Sequence, residues 1–322
     1  MAPVNCKISH TSYSTFDDID AQAAALGGWN QQYMQTSAGA FFGNVARMHW
    51  DGISLFTESL TQSVHQTGYI APHTVALGVP LAQSTQAYFC GRSRDAQHLH
   101  VFSGASGFEF RTPQHHTMLG IEIDRPLFDT LVADTQHGAS AALGASAGLH
   151  SVRSAALAEL GRFAAACFDS SAQSLNASQS SQLRDALLER IAYALAPAEP
   201  TPHSALHGKA ESKHHTALAA RANGYLASRL DNPPTVQDMC CALQVSRRTL
   251  QSCFQATKGM GPLAWLNTLR LNAARRQLKT ATSVTQAATE FGYWHFGHFA
   301  NDYQALFGEL PSHTLGRYRK LH

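Results

Sequence analysis

Arginine and glutamine side chains share the outer side of a short predicted helix in the last third of the chain. Arg247, Arg248, Gln251 and Ser252 are left there when Leu250 and Phe254 are assigned to its inner face. In the major groove of DNA, an arginine bonds guanine through two hydrogen bonds, and a glutamine bonds adenine in the same way. The residue types and their spacing therefore predict a helix that reads DNA bases.

A second predicted helix carries another candidate set of base contacts, at Gly297, His298 and Asn301. Aromatic residues recur beside them at intervals of four and are expected to form the buried face, namely Phe299, Tyr303 and Phe307. Two helices of similar design on one chain indicate two recognition helices.

Each recognition helix follows a shorter predicted helix that begins at a capping residue and ends in a tight turn. Thr235 with Asp238, and Ser283 with Gln286, have the spacing of capping boxes. Ser246 is expected to cap the first recognition helix, and a long helix over residues 262–280 is expected to join the two halves. The pattern predicts two helix-turn-helix units in tandem, a motif that places its second helix in the major groove.

The charge of the chain is unevenly distributed. Residues 217–322 hold 12 Lys and Arg against 5 Asp and Glu, a formal charge of +7, whereas the other 216 residues carry −5. A basic part joined to an acidic part fits a phosphate-binding module attached to a part that does not bind DNA. Candidate phosphate contacts are Lys258, Arg275, Arg276, Lys279, Arg317, Arg319 and Lys320.

Residues 217–320 resemble the signature of the AraC-type (AraC/XylS) transcription regulators. The matching positions include Ser246, Arg247, Arg248, Leu250, Phe254, Gly259, Trp265, Ala288, Phe291, Gly292, Tyr293, Phe299, Tyr303, Phe307, Gly308, Pro311 and Ser312. The resemblance implies that both recognition helices enter successive major grooves. It also places Arg248, Gln251 and Ser252 of the first unit, and Gly297, His298 and Asn301 of the second, against bases. Two positions depart from the family pattern, because Gln244 replaces a glycine and His295 replaces a capping serine.

The sequence pattern of the amino-terminal half predicts short strands followed by helices. Between residues 30 and 125, β-branched and aromatic segments alternate with turn residues, which favours a sandwich or barrel. Helices are predicted at 126–135, 151–168 and 178–196. The fold class is therefore α+β, with a β-sandwich or barrel domain and its helices at 1–196, a Pro-rich linker at 197–215 and an all-α double helix-turn-helix domain at 216–322.

A second resemblance is carried by the segments TVALGVPL, AYFCG, LHVFSGASGFEFRTP and LGIEIDRPLF, at residues 74–81, 87–91, 99–113 and 119–128. Through them the amino-terminal half resembles the sensor domain of regulators related to the ethanolamine-utilisation activator, which implies a cupin-like fold. An effector pocket between its sheets is then expected, and its candidate lining residues are Trp29, Trp50, Tyr69 and Phe102. The alternative is that these aromatic residues simply form the core.

Histidine motifs raise a different possibility, a cupin-type metalloenzyme with a helical accessory domain. His98 and His100 form an HxH, and His115 and His116 are adjacent, with Glu109 or Glu122 as a carboxylate. The spacing does not complete a ligand set, so we expect no metal, no cofactor and no enzymatic activity. The six cysteines form no CxxC pair, which favours reduced thiols and a cytoplasmic protein.

The expected function is that of a sequence-specific transcription regulator that responds to an effector and activates or represses its promoters. Its expected partners are double-stranded promoter DNA, RNA polymerase, an unidentified small-molecule effector and a second copy of the chain. No apolar run reaches the roughly 18 residues of a membrane span, so no membrane partner is expected.

Overall fold

The structure is a computed structural model that describes residues 10–50, 52–82, 84–85, 87–94, 98–135, 144–171, 176–196 and 208–319. The chain divides into two compact units. Unit 1 comprises Met1–Tyr33 and Phe42–Ser204, and unit 2 comprises Met34–Phe41 and Ala205–His322. Within the described residues, none of the helices has both the length and the apolar character that crossing a membrane requires.

The described strands of unit 1 form two antiparallel sheets. The strands are β1 (His10–Phe16), β2 (Trp29–Gln35, whose last two residues belong to unit 2), β3 (Gly43–Trp50), β4 (Ile53–Leu60), β5 (Val64–Ile70), β6 (Thr74–Ala82), β7 (Ala87–Phe89), β8 (Arg92–Arg94), β9 (His98–Ser103), β10 (Phe108–Arg111), β11 (His116–Asp124) and β12 (Gly148–Ser151). The larger sheet has the order β1-β3-β4-β11-β6-β9-β12, and the smaller has the order β2-β5-β10-β7-β8.

The helices in the described part of unit 1 are α1 (Ile19–Ala25), α2 (Arg125–Thr135), α3 (Ser154–Ser171) and α4 (Ala177–Leu195). The outer face of the larger sheet packs on α2, α3 and α4 through a fully apolar core that includes Leu77, Leu160 and Ile191. A second, largely aromatic core that includes Phe89, Phe102 and Phe110 fills the space between the two sheets. The strands thus bury both faces of the larger sheet, which explains why several of them read as continuous apolar runs.

Unit 2 contains α5 (Gly208–Ala227), α6 (Val236–Leu243), α7 (Arg247–Lys258), α8 (Pro262–Leu278), α9 (Val284–Glu290), α10 (Phe296–Phe307) and α11 (Pro311–Arg319). The helix α8 contributes Trp265 and Leu266 to one hydrophobic core and Leu271, Ala274 and Leu278 to another. The predicted α+β class is confirmed, with antiparallel sheets followed by an all-α part.

One predicted helix boundary in the amino-terminal half was wrong. Ser151, predicted to begin a helix, lies in β12, and the helix α3 begins at Ser154. The strand β1, the helix α1 and the strand β8 were not predicted. Short or edge elements have little periodic signal, so their pairing partners rather than their own residues determine them.

The predicted linker at 197–215 is also corrected, because α5 begins at Gly208. Residues 208–215 have the sequence GKAESKHH, in which apolar periodicity is too sparse to indicate a helix. Residues 197–207 lie outside the described part of the chain. The predicted domain boundaries otherwise remain a prediction.

Candidate nucleic-acid interface

The first helix-turn-helix unit consists of α6 and α7. The Thr235 hydroxyl accepts from the Asp238 backbone N–H at 3.2 Å, and the Asp238 carboxylate accepts from the Thr235 N–H at 2.9 Å, so the predicted capping box is present. The Ser246 hydroxyl accepts from the Thr249 N–H at 3.1 Å and caps α7. Leu250 and Phe254 are fully buried, as their spacing predicted. The caps and the core together fix where α7 begins and which side faces outward.

In the turn between α6 and α7, a residue other than glycine adopts the left-handed backbone conformation. Gln244 ends α6 at φ 56° and ψ 45°, and its backbone N–H donates to the carbonyl oxygens of Cys240 and Cys241. A side chain in this conformation costs about 1–2 kcal/mol, which is why glycine is the usual residue there. The turn therefore keeps the geometry of the motif at a local energetic cost.

The outer face of α7 carries the predicted base contacts. Arg247, Arg248, Gln251 and Ser252 are all exposed to solvent. Since both arginines are exposed in the first turn of the helix, each remains a candidate for a guanine contact. These four side chains provide three kinds of hydrogen-bonding group on one exposed surface.

The second helix-turn-helix unit consists of α9 and α10. The Ser283 hydroxyl accepts from the Gln286 N–H at 3.0 Å, but the Gln286 amide oxygen accepts from the Thr282 N–H at 3.0 Å. The expected capping box is therefore only half formed. The Gln286 side chain bonds the backbone N–H of Thr282 rather than that of the capping residue Ser283. Gly292 turns the chain at φ 71°, and a Cβ on it would lie 2.4 Å from the Asp231 carbonyl oxygen, so this turn requires glycine.

The start of α10 is held by a chain of contacts to α8. The Tyr293 hydroxyl donates to the Asn267 amide oxygen at 2.8 Å, and the Asn267 amide donates to Asp302 at 3.3 Å. The Arg270 guanidinium lies 3.9 Å from the centre of the Tyr293 ring and donates to the Phe291 carbonyl oxygen at 2.8 Å. Burial raises the pKa of the Tyr293 hydroxyl, which keeps it protonated as a donor. The predicted contacts Gly297, His298 and Asn301 are all exposed on α10.

Two of the predicted phosphate contacts are buried and do not fit that role. Lys258 is 1% exposed and its ammonium lies 4.8 Å from the centre of the Trp265 indole. Arg275 is 6% exposed and donates to Glu309 at 2.8 Å and to the Tyr303 hydroxyl at 3.3 Å. Both cations therefore make contacts inside unit 2 and are not available to phosphate. A count of charges along the sequence cannot distinguish such buried cations from exposed ones.

The remaining cations lie nearer the surface. Arg276 and Lys279 are partly exposed, and the Lys279 ammonium lies 5.3 Å from the centre of the Tyr318 ring. Arg317 is exposed and pairs with Glu309 at 2.8 Å, and exposed Arg319 donates to the Thr282 carbonyl oxygen. Lys320 lies outside the described residues.

The four predicted pocket residues of unit 1 do not line one pocket. The rings of Trp29 and Phe102 lie 5.0 Å apart between the two sheets. Trp50, however, is buried in the core between the larger sheet and the helices, and Tyr69 is 61% exposed. Alternation along a strand predicts that a residue is buried, but not which of two cores contains it.

A buried polar group that the sequence analysis missed lies between the sheets. The Glu58 carboxylate accepts from the Tyr33 hydroxyl at 2.8 Å and from the Gln22 amide at 3.0 Å. Burial raises the pKa of Glu58 above its usual value. Beside it is a cavity of about 10 Å³, lined partly by Trp29 and Gln66, with room for roughly one water molecule. A glutamate among the apolar residues of β4 was the signal available in the sequence.

The histidines of the two motifs lie in separate surroundings in the described part of the chain. His100 and His116 are buried next to the Phe110 ring, at 5.2 Å and 5.6 Å between ring centres. Glu109 bonds His65 at 2.8 Å, and Glu122 pairs with Arg47 at 2.5 Å. Across the described residues, no group of three or more His, Cys, Asp or Glu is placed to hold a metal ion.

Residues 239–317 match a family model described as a helix-turn-helix domain. The chain is 36% identical over 95 residues to the "Probable thc operon regulatory protein" of Rhodococcus erythropolis, covering 28% of this chain and 29% of that protein. It is 34% identical over 79 residues to the XylDLEGF operon transcriptional activator 2 of Pseudomonas putida, covering 23% of this chain and 50% of that protein. The match therefore spans half or less of the length of these curated relatives.

Among solved structures, the chain is similar to a probable AraC family transcriptional regulator from Rhodopseudomonas palustris. The sequence identity is 31%, the alignment covers 32% of this chain and 97% of that one, and the TM-score is 0.30. These similarities give no support to the metalloenzyme alternative.

Proposed function

We propose, from the premise that this chain belongs to the AraC-type helix-turn-helix regulators, that it is a sequence-specific, effector-responsive regulator of transcription. Unit 2 would bind promoter DNA, and unit 1 would sense a small molecule. The observation that carries this proposal is the pair of helix-turn-helix units with exposed polar residues on α7 and α10.

The DNA-binding part of the proposal is tested with a fragment of residues 205–322. The fragment must begin before α5, because Leu218, Ala222 and Leu226 complete the core of the first helix-turn-helix unit. Sequences selected from a random library by the full chain provide the operator. The fragment should bind it with an affinity that falls steeply with salt, since phosphate contacts release counterions. Binding by residues 1–196 instead would overturn the assignment.

The effector site that the interior supports best surrounds Glu58. A carboxylate, an amide and a hydroxyl are buried there among aromatic rings, which is the composition of a small-molecule site. Because the cavity now has room for about one water molecule, an effector would have to displace side chains when it binds. The proposed ligand is therefore a small organic molecule with a hydrogen-bond donor that faces Glu58.

The strand β2 supports a route for the response. It carries Trp29, Gln31 and Tyr33, which line the interior cavity. Its next two residues, Met34 and Gln35, are buried in unit 2. An effector that moves Tyr33 would thus act on a strand that continues without a break into the DNA-binding unit.

The effector part is tested by titration with and without operator DNA, using a compound found by thermal-shift screening. If the effector acts through DNA binding, linkage requires operator DNA to change its affinity by the same factor. Equal affinities, together with a transcriptional response to that compound, would exclude this route. Glu58→Gln should weaken effector binding but leave operator binding without effector unchanged.

The assembly and location of the protein are further parts of the proposal. A homodimer formed through unit 1 would offer four recognition helices and raise the effective concentration at paired half-sites. We place its action in the cytoplasm, on promoters that RNA polymerase uses. Sedimentation of the full chain tests the dimer, and a monomer at tens of micromolar in the absence of DNA would contradict it.

A further inference from the structure

The two recognition helices differ in their chemistry. The outer face of α7 presents Arg247, Arg248 and Gln251, which form strong directional hydrogen bonds. The sequence of α10, FGHFANDYQALF, contains no lysine or arginine. Its exposed side chains include His298, Asn301 and the acidic Asp302. The second unit therefore has fewer groups for hydrogen bonding to bases, although its fold is the same.

Two aromatic side chains are exposed where α10 begins. Trp294 is 73% exposed in the turn, and Phe296, the first residue of the helix, is 42% exposed. Their neighbours Tyr293 and Phe299 are buried with ring centres 4.9 Å apart and already fill the local core. Trp294 and Phe296 therefore extend the surface rather than the core of the unit.

This position is the part of a recognition helix that comes closest to bases. In helix-turn-helix proteins the amino-terminal residues of the second helix contact base edges in the major groove. Side chains of the first helical turn tilt towards the helix amino terminus, so Phe296 projects past the end of α10. The exposed His298 follows in the same turn, and its ring centre lies 6.2 Å from that of His295. The aromatic pair thus lies at the amino-terminal end of α10, directly before Gly297 and His298 in sequence.

We propose that Trp294 and Phe296 read thymine in the second half-site through apolar contact with its C5 methyl group. This inference rests on the proposed function of unit 2 in DNA binding. Thymine is the unmodified base that presents a methyl group in the major groove, and aromatic side chains are suitable contacts for it. In this proposal α7 recognises bases through hydrogen bonds and α10 recognises them through contacts with thymine methyl groups. Binding affinity should therefore depend on methyl groups only at the bases that face α10.

The test uses the full chain and operator duplexes recovered by selection from random DNA. Thymines of each half-site are replaced by deoxyuridine, which removes the methyl group but keeps the hydrogen-bonding pattern of the base. The half-sites are assigned by footprinting the full chain and its Arg248→Ala variant. Replacement under α10 should weaken binding about fourfold for each contacted methyl group, the value of one buried methyl group.

Substitutions of the two aromatic residues test whether they cause the preference for thymine. Trp294→Ala and Phe296→Ala should each reduce the preference for the thymine operator in the second half-site, and the double variant should bind the thymine and deoxyuridine operators equally. Leu263→Ala is the matched control, because Leu263 is also an exposed apolar residue, 54% accessible, but lies at the start of α8. It should keep the full difference between the two duplexes.

Several results would overturn the inference while leaving the proposed function intact. These are a second half-site without thymine, equal binding of both duplexes by the wild-type chain, or an undiminished thymine preference in both aromatic variants. Normal DNA binding with lost transcription in those variants would instead assign the surface to a protein partner. If no operator is recovered, the proposed function itself fails. The wild-type comparison requires no substitution, so it remains decisive if a variant fails to fold.

Discussion

Asn272 on α8 pairs with the backbone of Gln35 through two hydrogen bonds, although 237 positions separate the two residues in sequence. The Gln35 N–H donates to the Asn272 amide oxygen at 3.0 Å, and the Asn272 amide donates to the Gln35 carbonyl oxygen at 3.0 Å. Both residues are buried. The Gln35 side chain also donates to the Leu306 carbonyl oxygen at 2.7 Å, near the end of α10. These bonds attach the segment Met34–Phe41 to α8 and α10 within unit 2.

Asn272→Ala should destabilise unit 2 of the full chain by about 2–3 kcal/mol, because it leaves two buried backbone groups of Gln35 without partners. Urea unfolding measures the change. The fragment 205–322 is the control, since it lacks Gln35, and the substitution should cost much less there. An equal loss in the fragment and the full chain would show that Asn272 acts only within α8.

Arg248→Ala and Gln251→Ala should each reduce discrimination between operator and random DNA by about 1–3 kcal/mol, the value of a bidentate base contact. Both side chains are exposed on α7, so their removal should not disturb the fold. Competition binding against random DNA measures the discrimination. If a variant loses affinity equally for both duplexes, its side chain contacts phosphate rather than a base.

Arg275 and Arg276 are adjacent and should behave in opposite ways. Arg275 is buried against Glu309 at 2.8 Å, so Arg275→Ala should destabilise unit 2 by about 3 kcal/mol. Arg276 is partly exposed, and Arg276→Ala should weaken operator and random DNA equally and reduce the salt dependence of binding. Thermal unfolding and salt titrations separate the two effects. A fully stable Arg275→Ala variant with weakened DNA binding would restore Arg275 as a phosphate contact.

Acid should destabilise unit 1 through its buried histidines. Burial lowers the pKa of His100 to about 4 and that of His116 to about 3. An unfolded histidine titrates near pH 6.5, so below that pH the unfolded chain takes up protons that the folded chain does not. The stability contribution is complete above about pH 6.5 and is lost as the pH falls towards the folded values, by about 1.4 kcal/mol per histidine and pH unit.

His116→Leu should therefore reduce the loss of stability between pH 7 and pH 5 by about 2 kcal/mol. Neither ring nitrogen of His116 has a hydrogen-bond partner among the described residues, so the substitution removes no bond of that kind. Urea unfolding at both pH values measures the difference. His73→Gln, at an exposed position, is the control and should keep the wild-type dependence. An unchanged pH dependence in His116→Leu would place the acid sensitivity elsewhere.

The local architecture of the helix-turn-helix units could be predicted from the sequence. Thr235, Ser246 and Ser283 stand where helix caps are required, and all three side chains cap helices in the structure. The spacing of the apolar residues identified the buried face of α7 and of α10. The exposed residues of each helix followed from it, because a surface helix buries a single face with a period of 3.6 residues. Such features depend on residues within a few turns of one another.

Which charged side chains are exposed, and which chain segments share a core, depends on how the helices and strands pack together. Lys258 and Arg276 are equally cationic in sequence, yet one lies buried over Trp265 and the other lies partly exposed. The pairing of Asn272 with Gln35 and the burial of Glu58 beside Tyr33 likewise join residues from separate elements. Periodicity reports the surroundings of a residue along its own helix or strand. Contacts between distant segments depend on how those elements pack, which no local pattern encodes.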